Sequence, residues 1–245
     1  MLQVEDIGKR INEMRSWPRR EPGPVFLSWY EFSAVSVQIN VIEARAKLGL
    51  EAGEEELDRL WKWRARLAKA IVDAAAPTIE DAILKSTIST SLLSEGALRV
   101  VLTPQTLEDF DRAVGDDGEC LEALEPELWQ LSRRVQKQVV ELETRWKRMD
   151  DREERRQANS LSLDAASLEK SWNELHESVW RVARYETMTA AGLRAKGQMF
   201  RDLSASFSAM DGLVALQDSY LRDFDHLAYR RLHGRDAPMP RRSVG

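Results

Sequence analysis

The residues of this chain that could do chemistry are few and widely spaced. Only three histidines occur in 245 residues, namely His176, His226 and His233. Asp223 and His226 lie three residues apart, which places a carboxylate and an imidazole on one helix face, as in helix-bundle metal sites. A di-metal site needs a second such pair, and the most similar stretch offers Asp109 and Arg112 instead. A helical-bundle metalloenzyme built on Asp223 and His226 is therefore the second alternative interpretation.

Nucleophilic and phosphate-binding motifs are missing from the sequence. Catalysis by a hydroxyl or thiol needs a base within reach, and no histidine lies in a glycine-flanked loop. Neither Gly-x-Gly-x-x-Gly nor Gly-Lys-Ser/Thr occurs. Cys120 is the only cysteine; it excludes an intramolecular disulfide and is expected to be a small buried or half-exposed thiol. We therefore expect no enzyme, no catalytic residue, no bound metal and no cofactor.

The composition favours a helical protein with a charged surface. Hydrophobic residues make up 43% of the chain and charged residues 31%, with only 12 glycines and 8 prolines. Such a balance can bury a core and favours helix. The net charge of −5 is unfavourable for a dedicated nucleic-acid coat. The N-terminus lacks the apolar segment of a signal peptide. The sequence contains no run of eighteen uncharged apolar residues, so we expect no membrane span. A cytoplasmic location is expected.

Apolar residues recur at helical spacing in every long segment, which predicts an all-α fold. Leu98–Leu102 has strand character, but one strand cannot make a sheet, and we interpret it as a connector. Pro126 suits a first helical turn. Thr78 suits a helix N-cap, and either Thr187 or Thr189 suits the N-cap of the later helix. The predicted helices cover 25–48, 54–76, 78–94, 104–114, 126–157, 164–185, 189–208 and 212–232.

A pattern around Trp61 recurs later in the chain. Trp61, Thr78 and Lys85 match Trp172, Thr189 and Lys196 at a constant offset, and Leu107–Asp111 resembles Leu221–Asp225 after a small shift. The order and the rarity of tryptophan predict an internal duplication, hence an elongated helical bundle of two similar multi-helix halves. The expected parts are an N-terminal helix and proline-rich loop (1–24), two helical repeats (25–115 and 116–232) and a disordered basic tail (233–245).

The spacing of the apolar residues also predicts which side chains are buried. In the segment 25–48, apolar positions alternate steps of three and four residues, which is typical of a helix packing along a partner helix; they are Leu27, Tyr30, Ala34, Val37, Val41, Ala44 and Leu48. Trp61, Trp146 and Trp172 lie on predicted buried stripes. Lys85 and Lys196 are expected to extend over a helix seam with their ammonium groups in solvent.

The favoured function is a non-enzymatic interaction or scaffolding protein that self-associates. Three tryptophans fall off the predicted buried stripes and are candidate anchors for a protein partner, namely Trp63, Trp129 and Trp180. The end of the long helix 126–157 is charged on all sides, so we expect it to meet a partner, most simply a second copy in a homodimer. Its candidate contact residues are Arg152, Arg155 and Arg156.

The first alternative is a DNA-associated accessory or regulatory factor. The helix after Thr189 could act as the recognition helix of a helix-turn-helix, and the C-terminal tail is rich in arginine. The candidate contact residues are Arg194, Lys196, Arg230, Arg231, Arg241 and Arg242. The corresponding positions of the first repeat carry Glu80 and Asp81, which phosphates would repel, so nucleic acid is the disfavoured partner.

Overall fold

The computed structural model describes residues 23–50, 53–96, 101–115, 118, 120–154 and 161–234. Side chains are described throughout these ranges except at Pro24, 150–154 and 161–165. Residues 1–22, the greater part of the Leu98–Leu102 segment and the tail from 235 lie outside the described residues. Expectations about those segments stay predictions.

The described part of the chain is helical and contains no strand, which confirms the predicted all-α class. Its helices are α1 (Pro24–Lys47), α2 (Glu54–Asp73), α3 (Ile79–Ser94), α4 (Pro104–Val114), α5 (Leu121–Leu124), α6 (Pro126–Glu154), α7 (Leu161–Arg184), α8 (Ala190–Ser206) and α9 (Gly212–His233). Each long helix lies within a few residues of its predicted bounds. The short helix α5, which follows the exposed thiol of Cys120, was not predicted.

The helix ends follow local chemistry. Thr78 Oγ1 accepts a hydrogen bond from the Asp81 amide at 3.1 Å, and Thr189 Oγ1 accepts one from the Gly192 amide at 2.9 Å. Each hydroxyl satisfies an amide that has no partner within its own helix. Pro24 opens α1 in the same way that a proline opens α6, where a missing amide hydrogen costs nothing.

The chain divides into two compact units, Met1–Ala113 (unit 1) and Val114–Gly245 (unit 2). In unit 1, α1, α2 and α3 pack against one another. The side chains between α1 and α2 include Val35, Ile39 and Leu60, all buried. From α4, Leu107 and Phe110 are buried, and Thr106 Oγ1 donates to the Val72 carbonyl.

In unit 2, α6 packs against α7 and α8, and α9 covers α7 and α8. The short α5 contacts α6 and α8. The core takes its residues from all four long helices, including Leu142, Leu175, Phe200 and Phe224. These residues lie on the apolar stripes predicted for α6 to α9, so the amphipathic pattern located the core of unit 2 correctly.

Two burial predictions for tryptophan were wrong. Trp61 remains 39% exposed, with the Arg64 guanidinium 5.0 Å from its ring. Trp146 is also largely exposed, although its ring and that of Trp172 meet Phe207 with centroids 5.3 and 5.5 Å away. Because Trp172 is only half-buried, these indoles cover the rim of the core, where one face of a large ring can stay in contact with water.

The prediction for the face of α1 was also wrong. Val25, Trp29, Phe32, Val35 and Ile39 are the residues that α1 buries. The predicted stripe from Leu27 to Leu48 lies on another side of the helix and is exposed. Since α1 is apolar nearly all round, its sequence carries little information about which side faces the core.

By length and composition alone, Val25–Lys47 would also suffice to cross a membrane, and it is the one such helix in the described chain. The expectation that the chain has no membrane span stays a prediction. About a third of the most apolar window of this helix is buried inside the protein. A single helix of this kind is weak evidence for a membrane span, because mostly buried core helices and signal sequences meet the same criteria of length and composition.

Candidate functional site

The most unusual polar feature of unit 1 is a fully buried ion pair between Lys85 and Asp109. Both side chains have an exposed fraction of 0%. Lys85 Nζ donates to Asp109 Oδ2 at 2.9 Å and to the Ala74 carbonyl at 2.7 Å. The same carboxylate accepts the Ala76 amide at 3.0 Å. The pair therefore joins α3 and α4 to the connection that follows α2.

Unit 2 contains the same arrangement, made by Lys196 and Asp223. Lys196 Nζ donates to Asp223 Oδ2 at 2.6 Å, to Ser219 Oγ at 2.7 Å and to the Tyr185 carbonyl. The Thr187 amide donates to the Asp223 carboxylate. This pair joins α8 and α9 to the connection that follows α7. In each unit, a buried lysine and a buried aspartate therefore hold the connection between two helices in place.

Burial controls the titration of these groups. Desolvation lowers the pKa of Lys85 and of Lys196, although the partner carboxylate opposes the change in each case. Desolvation raises the pKa of Asp223 to about 6, against the opposing effects of Lys196 and the Thr187 amide. Burying an ion pair costs solvation free energy even when its hydrogen bonds are good. Since each pair also holds two helices to the connection before them, we interpret both pairs as structural ion pairs.

The raised pKa of Asp223 predicts a measurable titration. The folded-state pKa, about 6, lies above the ordinary value of 3.8. The stability contributed by this carboxyl is therefore fully present below pH 3.8 and is lost as the pH rises through 6. Carboxyl ¹³C NMR of aspartate-labelled protein should show one midpoint near 6, absent from Asp223→Asn. An Asp223 midpoint near 4 would contradict the prediction, because the attraction of Lys196 and the Thr187 amide would then offset the whole effect of burial on the pKa.

A second carboxylate site lies at the start of α3 in unit 1. Asp81 Oδ2 accepts a hydrogen bond from Thr78 Oγ1 at 3.1 Å, and the carboxylate also accepts the Phe26 amide of α1. Gly23 lies directly beside it: a Cβ atom there would be 2.3 Å from Asp81 Oδ2. A negative charge at this place is favourable for the N-termini of both helices.

In unit 2 a carboxylate lies at the start of α8, but it comes from the residue before α6 and not from the helix that it caps. Glu125, the residue before Pro126, accepts the hydroxyls of Thr187 at 2.5 Å and Thr189 at 2.6 Å, and the Met188 amide at 3.2 Å. Gly192 leaves room for it, because a Cβ atom there would be 1.8 Å from Thr187 Oγ1 and 2.7 Å from Glu125 Oε1. In unit 1 the glycine, Gly23, precedes the long helix and the acid lies in the capped helix. In unit 2 the acid precedes the long helix and the glycine, Gly192, lies in the capped helix.

The predicted anchor tryptophans differ in exposure. Trp63 is exposed on α2. Trp129 and Trp180 are half-buried, with the guanidinium groups of Arg133 and Arg184 about 6 Å from their rings, and Trp180 Nε1 donates to His176 Nε2 at 3.3 Å. Only Trp63 therefore presents an open ring. The side chain of Arg152 and all of Arg155 and Arg156 lie outside the described residues.

Some of the candidate nucleic-acid contacts make contacts within unit 2 instead. Lys196 is fully buried, which corrects the expectation of a solvent-facing ammonium group. Arg194 Nη1 donates to the Gly115 carbonyl at 3.0 Å, and the guanidinium of Arg231 lies against the same glycine. Gly115 has a φ of +77°, which suits a residue without a Cβ atom. Arg230 is half-buried, and Arg241 and Arg242 lie outside the described residues.

The metal alternative loses its aspartate to the buried ion pair, because Asp223 is engaged by Lys196. His226 is half-buried on the same helix. Across the described residues, no group of three or more His, Cys, Asp or Glu side chains is placed to hold a metal ion.

Half of the exposed large hydrophobic side chains in the described part of the chain lie on α1 and the turn after it. Leu27, Tyr30, Val37, Val41 and Leu48 are exposed, and so is Leu50 beyond the helix. A concentration of exposed apolar side chains on one helix is typical of a protein or membrane contact. The exposed large hydrophobics elsewhere in the described chain are scattered, namely Trp61, Trp63, Val140, Trp146, Met188 and Val214.

The comparisons with known proteins add no family to this description. A scan against protein-family models, a search of curated proteins and a search of solved structures each return no match to this chain.

Proposed function

We propose that this protein is a non-enzymatic helical interaction or scaffolding protein whose binding surface is the exposed face of α1. The observation that carries the proposal is the concentration of exposed large apolar side chains on that one face. Water-exposed apolar surface is unfavourable, and burying it against a partner contributes roughly 25 cal/mol per Å².

In this proposal the two units are copies of one ancestral helical unit. Lys85 and Lys196, which the sequence comparison pairs, bind Asp109 and Asp223, which it also pairs. The carbonyls of Ala74 and Tyr185 accept from the two lysines at the same place in each unit. A shared buried network with matched partners is a stronger argument for duplication than scattered sequence identity, because each residue is constrained by the others.

Divergence between the two copies points to α1 as the functional part. The corresponding long helix of unit 2 is α6, and its exposed stripe is mainly polar: Gln130, Arg133, Lys137, Val140 and Thr144. The exposed stripe of α1 is apolar over the same length. The two units each contain a buried ion pair but differ in the polarity of this exposed stripe. Unit 1 would therefore bind the partner protein through α1, whereas the polar stripe of α6 in unit 2 would stay in contact with water.

The test is affinity capture from native lysate with tagged protein, performed with and without nuclease. The wild type should capture specific protein in both conditions, Val41→Asp should lose it, and the matched α6 variant Val140→Asp should retain it. Capture that disappears after nuclease treatment would favour the nucleic-acid alternative. Equal capture by wild type and Val41→Asp would contradict α1 as the binding surface.

A further inference from the structure

We infer that the exposed seam of α1 binds the same seam of a second copy, antiparallel, about a two-fold axis near Gln38. The seam is defined here as Leu27, Tyr30, Ala34, Val37, Val41, Ala44 and Leu48. This inference deepens the proposed function, on which it rests, by identifying the occupant of the surface.

The spacing of the seam selects a helix as its partner. Its positions alternate steps of three and four residues over six intervals, which is the a/d pattern of helices packed side by side. All seven side chains are exposed. A flat protein surface or a small ligand requires no such regularity, whereas a facing helix does, since its own side chains must enter the holes between these positions.

The size of the seam fits a self-association of moderate strength. Tyr30 is 68% exposed, Val41 53% and Leu48 77%. With its flanking residues the seam presents on the order of several hundred Å² per molecule, somewhat below the roughly 800 Å² that each partner contributes to a standard interface. We therefore expect a dimer with a Kd on the order of micromolar.

Charges beside the seam set the orientation. Glu31, Gln38 and Arg45 are exposed and follow one another at heptad intervals along one flank. In an antiparallel pair centred near Gln38, Glu31 of each copy faces Arg45 of the other. In a parallel pair the same flank would meet positions occupied by Phe26, Ser33 and Asn40, so the charges would have no complement.

The same register also matches side-chain sizes. Val37 of one copy would pack against Val41 of the other, and Ala34 would pack against Ala44. Tyr30 would cover Leu48 at each end of the contact. Small residues near the middle allow the two helices to approach closely, and the larger ones close the ends.

Sedimentation velocity and equilibrium of the full chain test the inference, together with circular dichroism to confirm folding. The wild type should be a dimer at tens of micromolar. Val41→Asp should weaken dimerisation at least about a hundred-fold, because it places two carboxylates in an apolar contact. Val140→Asp, at an exposed valine of α6, should leave the dimer and the melting temperature unchanged.

Charge exchange tests the orientation. Glu31→Arg and Arg45→Glu should each weaken the dimer roughly three- to thirty-fold at low salt, since two exposed pairs become repulsive. The double variant Glu31→Arg/Arg45→Glu should regain wild-type affinity. Failure of the double variant to recover would overturn the antiparallel arrangement.

The other occupants give distinct results. A wild type that stays monomeric at 100 μM while Ile7→Glu/Ile11→Glu dimerises would show that residues 1–22 cover the seam, and would overturn the inference. Flotation of wild type but not Val41→Asp with anionic phospholipid vesicles, without dimerisation, would identify a membrane instead. A dimer unaffected by Val41→Asp would place self-association elsewhere, overturning this inference while leaving the captured partner to decide the proposed function separately.

Discussion

Replacing Lys196 with methionine is expected to destabilise unit 2 by about 3–5 kcal/mol, the usual cost of removing one partner of a buried ion pair. The substitution leaves the Asp223 carboxylate buried without its counter-charge, and the Tyr185 carbonyl and Ser219 hydroxyl lose their shared donor. Lys196→Met/Asp223→Asn should recover part of the loss, because an amide oxygen can still accept the Thr187 amide and no charge remains. Denaturant unfolding followed by circular dichroism measures both effects.

The matched control is Lys85→Met in unit 1, for which we expect a smaller loss. Besides the Ala76 amide, Asp109 keeps two further donors, the Arg112 guanidinium at 3.3 Å and the Gln105 amide at 2.9 Å. Arg112 reaches solvent, so the remaining carboxylate is less isolated than Asp223 would be. If Lys196→Met lowered the free energy of unfolding by less than about 1 kcal/mol, the buried pair would not have the structural role that its geometry indicates.

Gly192→Asp is expected to be the other severe substitution, costing more than about 3 kcal/mol. Its Cβ atom would lie 1.8 Å from Thr187 Oγ1, and its carboxylate would stand beside that of Glu125. Overpacking costs about 1–3 kcal/mol, and burying a second carboxylate without a partner adds to it. Thermal unfolding would show the effect directly.

The informative variant is the triple exchange Glu125→Gly/Thr187→Ala/Gly192→Asp, which gives unit 2 the three residues that unit 1 has at Gly23, Ala76 and Asp81. If the units are copies with the carboxylate supplied from opposite sides, the triple variant should return to within about 1–2 kcal/mol of the wild type, while Gly192→Asp alone should not. A triple variant as unstable as the single one would contradict the proposed duplication at this junction.

Helix positions could be predicted from the sequence because their signals are local. The proline at the start of α6 and the threonine caps at Thr78 and Thr189 act within one helical turn, and amphipathic patterns located the core of unit 2. Pro24, which was assigned to the N-terminal loop, is instead the first residue of α1. The sequence comparison around Trp61 and Trp172 pairs Lys85 with Lys196 and Asp109 with Asp223, and in the structure these residues form one buried ion pair in each unit. What it could not show is that each lysine binds the aspartate of its own unit, since such a contact depends on how α4 and α9 pack.

Three features were decided only by tertiary structure. A long lysine side chain can extend to solvent or turn inward with equal local ease, and only the carboxylates and carbonyls gathered around Lys85 and Lys196 make burial favourable. The roles of Gly23 and Gly192 depend on acids far away in the chain. The sequence of α1 determined an apolar helix, but it offers two apolar faces, and packing on α2 and α3 chose the one with Trp29 and Phe32. Packing on α2 and α3 buries that face and leaves the regular seam from Leu27 to Leu48 exposed.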